Sequence, residues 1–432
     1  MTSSTPATPQ ASAGVFAFWS RQPLYTRILI GLVLGLVAGY LLGPNAKPFD
    51  WPAKLVLRVL GGLAPALILV AVVRALLTAE IHGRLAVRMA WLLMLNTVTA
   101  ILIGLTVANV LRPGAGQQHG DAAAPPKLQV DIVAQLLDNV PDSLVRPFVE
   151  NRVIGVVMIA VAFGIAARSL VRDERRQAEQ LASLGFSCIL RILHWVIALV
   201  PLAVFGKVAS IVGVSGFTPL LKLGWFVLAV ILALAVQTLY YLLRIRFGSW
   251  VHPIGLLRNM RDALVMAFST GSSTATMPVT YRLLRSPVGL RERSASLGAL
   301  VGSNFNNDGT ALYEAMSALF IAQMLEVPLT LAQQVLVILT SVVASVGAAG
   351  IPEAGLVTMT LVFSAVHLPL EYIALLLPVD WFLDRCRTMI NVLGDVNVAC
   401  LLDGKERERP EESGQAPELV ATGVRLAGEG GG

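Results

Sequence analysis

Charge is what this sequence has least of. Of its 432 residues only 14% are Asp, Glu, Lys or Arg, where a soluble domain carries about a quarter. That deficit, with a mean hydropathy of +0.71, excludes an ordinary water-soluble fold. Apolar runs of the roughly 20 residues needed to span a bilayer recur along the chain. Cysteine is scarce as well. Cys188, Cys386 and Cys400 sit in or beside apolar runs without metal-ligand spacing, which favours small packing residues over a disulfide or a metal site. A strong charge excess is also missing. The net charge is +6 and the arginines fall between apolar runs, so they read as topology signals and no nucleic-acid partner is expected. The first 13 residues lack the basic and short apolar regions of a cleaved signal, so the first long apolar segment is expected to direct insertion.

Apolar segments at 24–42, 55–78, 89–111, 153–167, 189–212 and 221–243 predict six spans. Arg84 and Arg88 follow the second, and Arg168, Arg172, Arg175 and Arg176 follow the fourth. With a cytoplasmic N-terminus both connections lie inside, as the positive-inside rule asks. The Gly/Ala/Pro-rich stretch 114–126 reads as a loop, 130–137 as a short interfacial helix, and RSLVRDERRQAEQ after the fourth span as soluble. The Glu/Arg/Gly-rich tail from Lys405 reads as disordered.

Beyond residue 243 the simple pattern fails. Segment 264–284 is long enough to cross, but STGSSTATMP interrupts it and arginines flank both ends. A re-entrant hairpin entering from inside, its tip at Ser272 to Thr274, fits that distribution. Segment 295–323 is a span broken by NFNNDGT, and from Ser294 to Asp384 there is no Lys or Arg. Segment 332–367, broken by GAAGIPEAG, then reads as a hairpin entering from outside. The unit of interrupted hairpin followed by polar helix occurs twice. Pro278 precedes Asp308 by 30 residues, and Pro352 precedes Asp384 by 32. Broken helices in corresponding positions of inverted repeats point to a transporter site at the bilayer midplane.

The last apolar segment, 379–402, reads VDWFLDRCRTMINVLGDVNVACLL. At about 100° per residue, Asp380, Asp384, Arg387, Thr388, Asn391 and Asp395 share an arc of about 100°. Such residues at bilayer depth face a protein interior or a wet cavity. Arg387 and Asp384, three residues apart, either form an internal salt bridge or serve as handles for a zwitterion. An arginine clamps a carboxylate bidentately and an aspartate holds an ammonium, so the face suits an amino acid with an acidic side chain. Asn306, Asp308, Asn391 and Asp395 are hard oxygen ligands suited to an alkali cation; the alternative is that 306–310 merely caps a kink. Glu314, a buried carboxyl, either carries a proton or stays neutral and hydrogen-bonded. An intramembrane hydrolase is disfavoured, because neither TGSST nor LGD carries the glycine pattern such chemistry needs. The chain is therefore not expected to be an enzyme, while a gated channel is the harder alternative to set aside.

The motifs STGSSTATMPVT, NNDGTALYEA, SVGAAGIPEAGLVTM and VDWFLDRCRTMINVLGD, in this order and spacing, resemble the dicarboxylate/amino acid:cation symporter family, which includes the excitatory amino-acid transporters. The resemblance implies an all-α polytopic membrane protein of the glutamate transporter-like fold, with eight transmembrane helices and two re-entrant helical hairpins in inverted repeats. It implies a homotrimer in which residues 23–80 and 150–215 form a scaffold and trimerisation domain. Residues 84–112 and 218–403 would form a transport domain that moves as an elevator. Residues 1–22 and 404–432 would be disordered cytoplasmic ends, and 113–149 an extracytoplasmic loop. The protein would lie in the cell (inner) membrane, in contact with lipid and needing no cofactor beyond Na+ or H+ as coupling ions.

Carried over by position, Arg387 with Thr310 would bind the side-chain carboxylate and Asp384 the ammonium. Asn391 with the Ser273 backbone would take the α-carboxylate, Ser272, Thr274 and Thr388 would complete the substrate set, and Ile351 and Gly355 would close the outer hairpin over the substrate. One cation set would be Gly302, Asn306, Asn391 and Asp395; a second, carbonyls near Asn304, Ser345 and Ala348; a third, Asn306, Asp308, Asn96 and Thr97. Glu314 matches the proton-carrying glutamate. The sequence departs from the family at Asn307, where Met is usual, at Asn304, where Thr is common, and at Leu93, where a Tyr is usual. These changes touch ion sites more than the amino-acid site. Members for C4-dicarboxylates lack the equivalent of Asp384 and neutral amino-acid members that of Arg387; this chain has both.

Overall fold

The computed structural model describes residues 22–78, 84–115, 141–150, 153–347 and 354–406. Every element among them is helical. The first helix, α1 (Leu24–Leu42), has Gly31, Gly35 and Gly39 four residues apart and so on one face. A Cβ at these positions would stand 2.5, 2.7 and 2.6 Å from the carbonyl oxygens of Pro201, Phe205 and Ala209 on α7 (Val200–Ser215). The glycines thus let two helix backbones touch, the means by which helices associate where lipid removes the hydrophobic incentive. A 3-10 segment, Gly43–Asp50, leads to α2 (Trp51–Thr78), which packs on α5 (Val153–Ser169), α6 (Arg172–Ile197) and α7.

Two sequence expectations change in this region. Arg168 and Ser169 of RSLVRDERRQAEQ close α5, and from Arg172 the stretch is helical again as the exposed first half of α6, with Asp173 and Glu174 at the positive end of the helix dipole. The fifth span is accordingly two helices, parted at Ala198–Leu199, because Pro201 has no N–H to continue the ladder. The Arg175 guanidinium donates to the Leu77 carbonyl at 3.0 Å, satisfying an acceptor that the end of α2 leaves free. The expected helix at 130–137 lies outside the described residues.

A second set of helices packs around the closing helix. It comprises α3 (Arg84–Leu111), α8 (Thr218–Gly248), α9 (Pro253–Thr270), α10 (Ser273–Leu283), α11 (Glu292–Ser296), α12 (Gly302–Phe305), α13 (Asp308–Met324), α14 (Leu331–Gly347), α15 (Ala354–Ala365) and α16 (Leu377–Asp403). The short turn α4 (Arg146–Val149) lies apart, against α5. Helix α16 packs on α8, α9, α10 and α13, and α13 is enclosed by α3, α14, α15 and α16.

The expected interruptions are present, with sharper edges. Helix α9 ends on Gly271, whose left-handed φ of 64° only glycine adopts without strain. Ser272 then caps α10 by accepting from the Ala275 N–H at 3.1 Å, so the helical pair turns within two residues. The expected break at 304–310 narrows to Asn306–Asn307, preceded by a π-helical turn at Leu297–Val301. Helices α14 and α15 pack together, and the stretch joining them lies outside the described residues. At the last residue of α16, the buried Asp403 carboxylate accepts from the Trp250 indole at 2.8 Å and the Arg291 backbone N–H at 3.0 Å. This fastens the exit of the α9–α10 pair to the ends of α8 and α16.

Candidate substrate and ion site

Helix α16 meets a break in its neighbour where its polar face needs partners. Asp380, Asp384, Arg387, Thr388, Asn391 and Asp395 are all buried, as the shared arc requires of polar side chains in an apolar setting. Arg387 is wholly enclosed. Its Nη1 donates to Asp380 at 3.0 Å, its Nη2 to Asp384 at 2.8 Å, and the guanidinium carbon lies 4.0 Å from the Tyr313 ring centroid. The internal salt bridge left open by the sequence is therefore formed. Asp380 doubles it, a role not read for that residue from the sequence. Its signal was legible: Asp380 and Arg387 are two helical turns apart on one face.

Around this group the structure gathers most of the expected substrate residues. A Cβ at Gly355 would stand 3.2 Å from Arg387 Nη2 and 3.3 Å from Thr310 Cγ2, so α15 lies directly over both. Asn391 donates to Thr310 Oγ1 at 3.4 Å and accepts from the Gly309 N–H at 2.8 Å. Thr388 turns its hydroxyl back to the Asp384 carbonyl at 2.8 Å. Ser273, 1% exposed, has a hydroxyl without a hydrogen-bond partner among the described residues, whereas the Ser272 hydroxyl is occupied in capping α10 beside Thr274. Ile351 and Ala348 lie outside the described residues.

The expected cation residues differ in how far the protein already satisfies them. Asn306 donates to the Asn391 carbonyl at 2.9 Å and to Asp395 at 3.0 Å, while its own Oδ1 has no partner among the described residues. A Cβ at Gly302 would stand 2.7 Å from Asp395 Oδ1, which brings the first set together. In the second set the Ser345 carbonyl accepts from the Asn307 side chain at 2.8 Å, and Asn304 donates to the Leu300 carbonyl in the preceding π-helical turn at 3.0 Å. In the third, Thr97 donates to Asp308 at 2.6 Å, Tyr241 donates to the other Asp308 oxygen, and Asn96 accepts from Arg244. Neither Tyr241 nor Arg244 carried a site role in the sequence, where Arg244 with Arg246 marks the inside end of the sixth span. Glu314 is fully buried; Thr358 donates to one oxygen and the other has no partner among the described residues.

Charge balance states what this arrangement can do. Asp308, Glu314, Asp380, Asp384 and Asp395 are five buried carboxyl groups, and Arg387 is the one buried arginine among the described residues. Uncompensated carboxylates in such surroundings are costly by several kcal/mol each. Buried carboxyl groups thus outnumber buried guanidinium groups, an imbalance that protons or cations would relieve.

That combination of broken helices, paired carboxylates and one guanidinium defines a membrane transporter, and comparison with known proteins agrees. Residues 24–405 match the sequence profile of the sodium:dicarboxylate symporter family. The chain belongs to this family, whose members are multi-pass membrane transporters and not enzymes. It is 29% identical to mouse excitatory amino acid transporter 4, over 89% of this chain and 84% of that one. It is 27% identical to human excitatory amino acid transporter 3, over 89% and 86% of the two chains. To the C4-dicarboxylate transport protein of Xanthomonas campestris it is 29% identical, over 92% and 93%.

Proposed function

We propose that this protein is a secondary active symporter that takes up glutamate or aspartate together with Na+, H+ or both. The carrying observation is the joint presence of Arg387 and Asp384, 2.8 Å apart on one buried face with Thr310, Gly355 and Asn391 around them. A dicarboxylate needs only the guanidinium; an acidic amino acid also needs an acceptor for its ammonium, and Asp384 is the nearest. Entry of the substrate would release Arg387 from Asp384 to the side-chain carboxylate and give Asp384 the ammonium, leaving the α-carboxylate to the neutral donors of Asn391 and the hairpin tip. Glu314 is the proton carrier in this reading, and the first cation set, with its unpartnered Asn306 oxygen, is the principal sodium site.

Helices α1, α2 and α5–α7 would form the scaffold of a homotrimer, against which α3 and α8–α16 move as an elevator. The α9–α10 pair would be the inner re-entrant hairpin and the α14–α15 pair the outer one, completing eight spans with both termini cytoplasmic in the cell membrane. The packing of α14 and α15 against α2, and of α16 against α7, supports a sliding surface there. A second reading, C4-dicarboxylate uptake, is favoured by one observation: Asp384 is already engaged by Arg387.

Uptake of labelled aspartate into proteoliposomes tests the proposal. Accumulation that collapses with the ion gradient, is competed by glutamate and resists succinate is expected, with a shallow sodium dependence because the Ser345 carbonyl is taken by Asn307. Accumulation of succinate without aspartate refutes the substrate class. Downhill flux alone refutes the symport.

A further inference from the structure

The third ion position, around Asp308, differs from the first in being closed. Asp308 is fully buried, and no Lys or Arg pairs with it directly among the described residues. Thr97 donates to Oδ1 and Tyr241 to Oδ2, so each carboxylate oxygen holds a hydroxyl proton. Asn96, expected to offer its amide oxygen to a cation, gives that oxygen to the Arg244 guanidinium. The amide groups then run on in one sense. Asn96 Nδ2 donates to Asn397 Oδ1 at 3.3 Å, and Asn397 Nδ2 donates to the Tyr241 carbonyl at 3.1 Å. The network joins α3, α8 and α16 and begins on a positive charge.

A hard cation binds where several oxygens turn lone pairs inward. Here the oxygens of Asp308 and Asn96 are turned toward N–H and O–H donors, one of them cationic. Space is taken as well. A Cβ at Gly394 would stand 2.9 Å from the Tyr241 hydroxyl and 3.1 Å from Asp308 Oδ2, so α16 presses its bare backbone onto the pair. Arg244 lies over the Tyr240 ring, 5.4 Å from the centroid, which helps hold its charge beside Asn96. The oxygen left open nearby is that of Asn306, shared by the first and third sets, whose amide group donates to Asp395 while its Oδ1 has no partner among the described residues.

We infer that Arg244 and Tyr241 stand in for one coupling cation at Asp308, as a positive charge and a hydroxyl tethered to α8. The inference rests on the cation-symport reading above and deepens it: the cycle uses one free cation fewer than its oxygen-bearing side chains suggest. Removing the stand-in opens the position to sodium. The Tyr241→Phe/Arg244→Gln double variant frees one Asp308 oxygen and the Asn96 oxygen together, and Arg244→Lys keeps the charge.

Two measurements on the purified full-length protein test this. In the first, aspartate affinity is titrated against NaCl at constant ionic strength. The double variant is expected to gain about one unit in the slope of log Kd against log sodium concentration, while Arg244→Lys keeps the parent slope. In the second, the unfolding midpoint of the substrate-free protein is followed in NaCl and in choline chloride. The midpoint of the double variant is expected to rise more steeply with sodium than that of the parent. Equal sodium responses in parent and double variant overturn the inference. If the double variant does not fold, Arg244→Gln alone is judged by the same comparison. Absence of aspartate binding in every protein overturns the substrate reading instead, and the substrate-free midpoints still decide the inference.

Discussion

Arg387→Cys separates the two jobs given to the central guanidinium. In the parent it donates to Asp380 and Asp384 at 3.0 and 2.8 Å with no solvent exposure. Cysteine leaves both carboxylates buried without their cation, and breaking such a pair costs about 3–5 kcal/mol of stability. A substrate carboxylate clamped by the same group makes two charge-assisted hydrogen bonds, each contributing about 1.5–3 kcal/mol. Their joint loss, about 3–6 kcal/mol, lowers affinity for aspartate by roughly two to four orders of magnitude at 1.4 kcal/mol per tenfold. Calorimetric titration of the detergent-solubilised protein reads this directly, and thermal unfolding of the same sample reads the stability loss. Adding Asp380→Asn should recover part of the stability, because it removes one orphaned charge, and none of the aspartate affinity. Asp384 remains as an ammonium acceptor, so serine or alanine should now bind. Aspartate affinity within about threefold of the parent would refute the assignment of Arg387 to the substrate and leave it a purely internal counter-ion.

Two further outcomes follow from buried groups nearby. Glu314→Gln keeps the acceptor that Thr358 uses but cannot release a proton, so net uptake should lose its pH dependence while aspartate exchange persists; intact proton coupling in proteoliposomes would remove Glu314 as the carrier. Gly394→Ala presses a Cβ onto Asn306 Nδ2 and places it 2.9 Å from the Tyr241 hydroxyl, an overpacking that should cost about 1–3 kcal/mol and lower the unfolding midpoint; an unchanged midpoint would show that α16 shifts freely there.

Helix boundaries were the most legible part of the sequence. The expected spans at 24–42 and 379–402 correspond to α1 and α16 almost residue for residue, because an apolar run of that length has few other ways to satisfy its backbone. Where polarity entered, the reading blurred. The soluble-looking stretch before the fifth span became half of α6, since helical hydrogen bonding continues through charged residues when one face still packs. The GxxxGxxxG face of α1 was present in the sequence as a pattern, but its partner was not.

The sequence by itself determined the membrane class, the interrupted helices and the polar face of α16, because each depends on periodicity and on the cost of polar groups in an apolar solvent. It also placed Asp384, Arg387 and Asn391 on one side of one helix. Only the tertiary structure decided how those groups are satisfied. Asp380 joins Asp384 on Arg387, Asn307 takes the Ser345 carbonyl, and Tyr241 and Arg244 close around Asp308 and Asn96. The reason is physical. A buried donor or acceptor takes whichever partner the packing brings within about 3 Å, and here those partners include residues 148 and 211 positions apart in the chain.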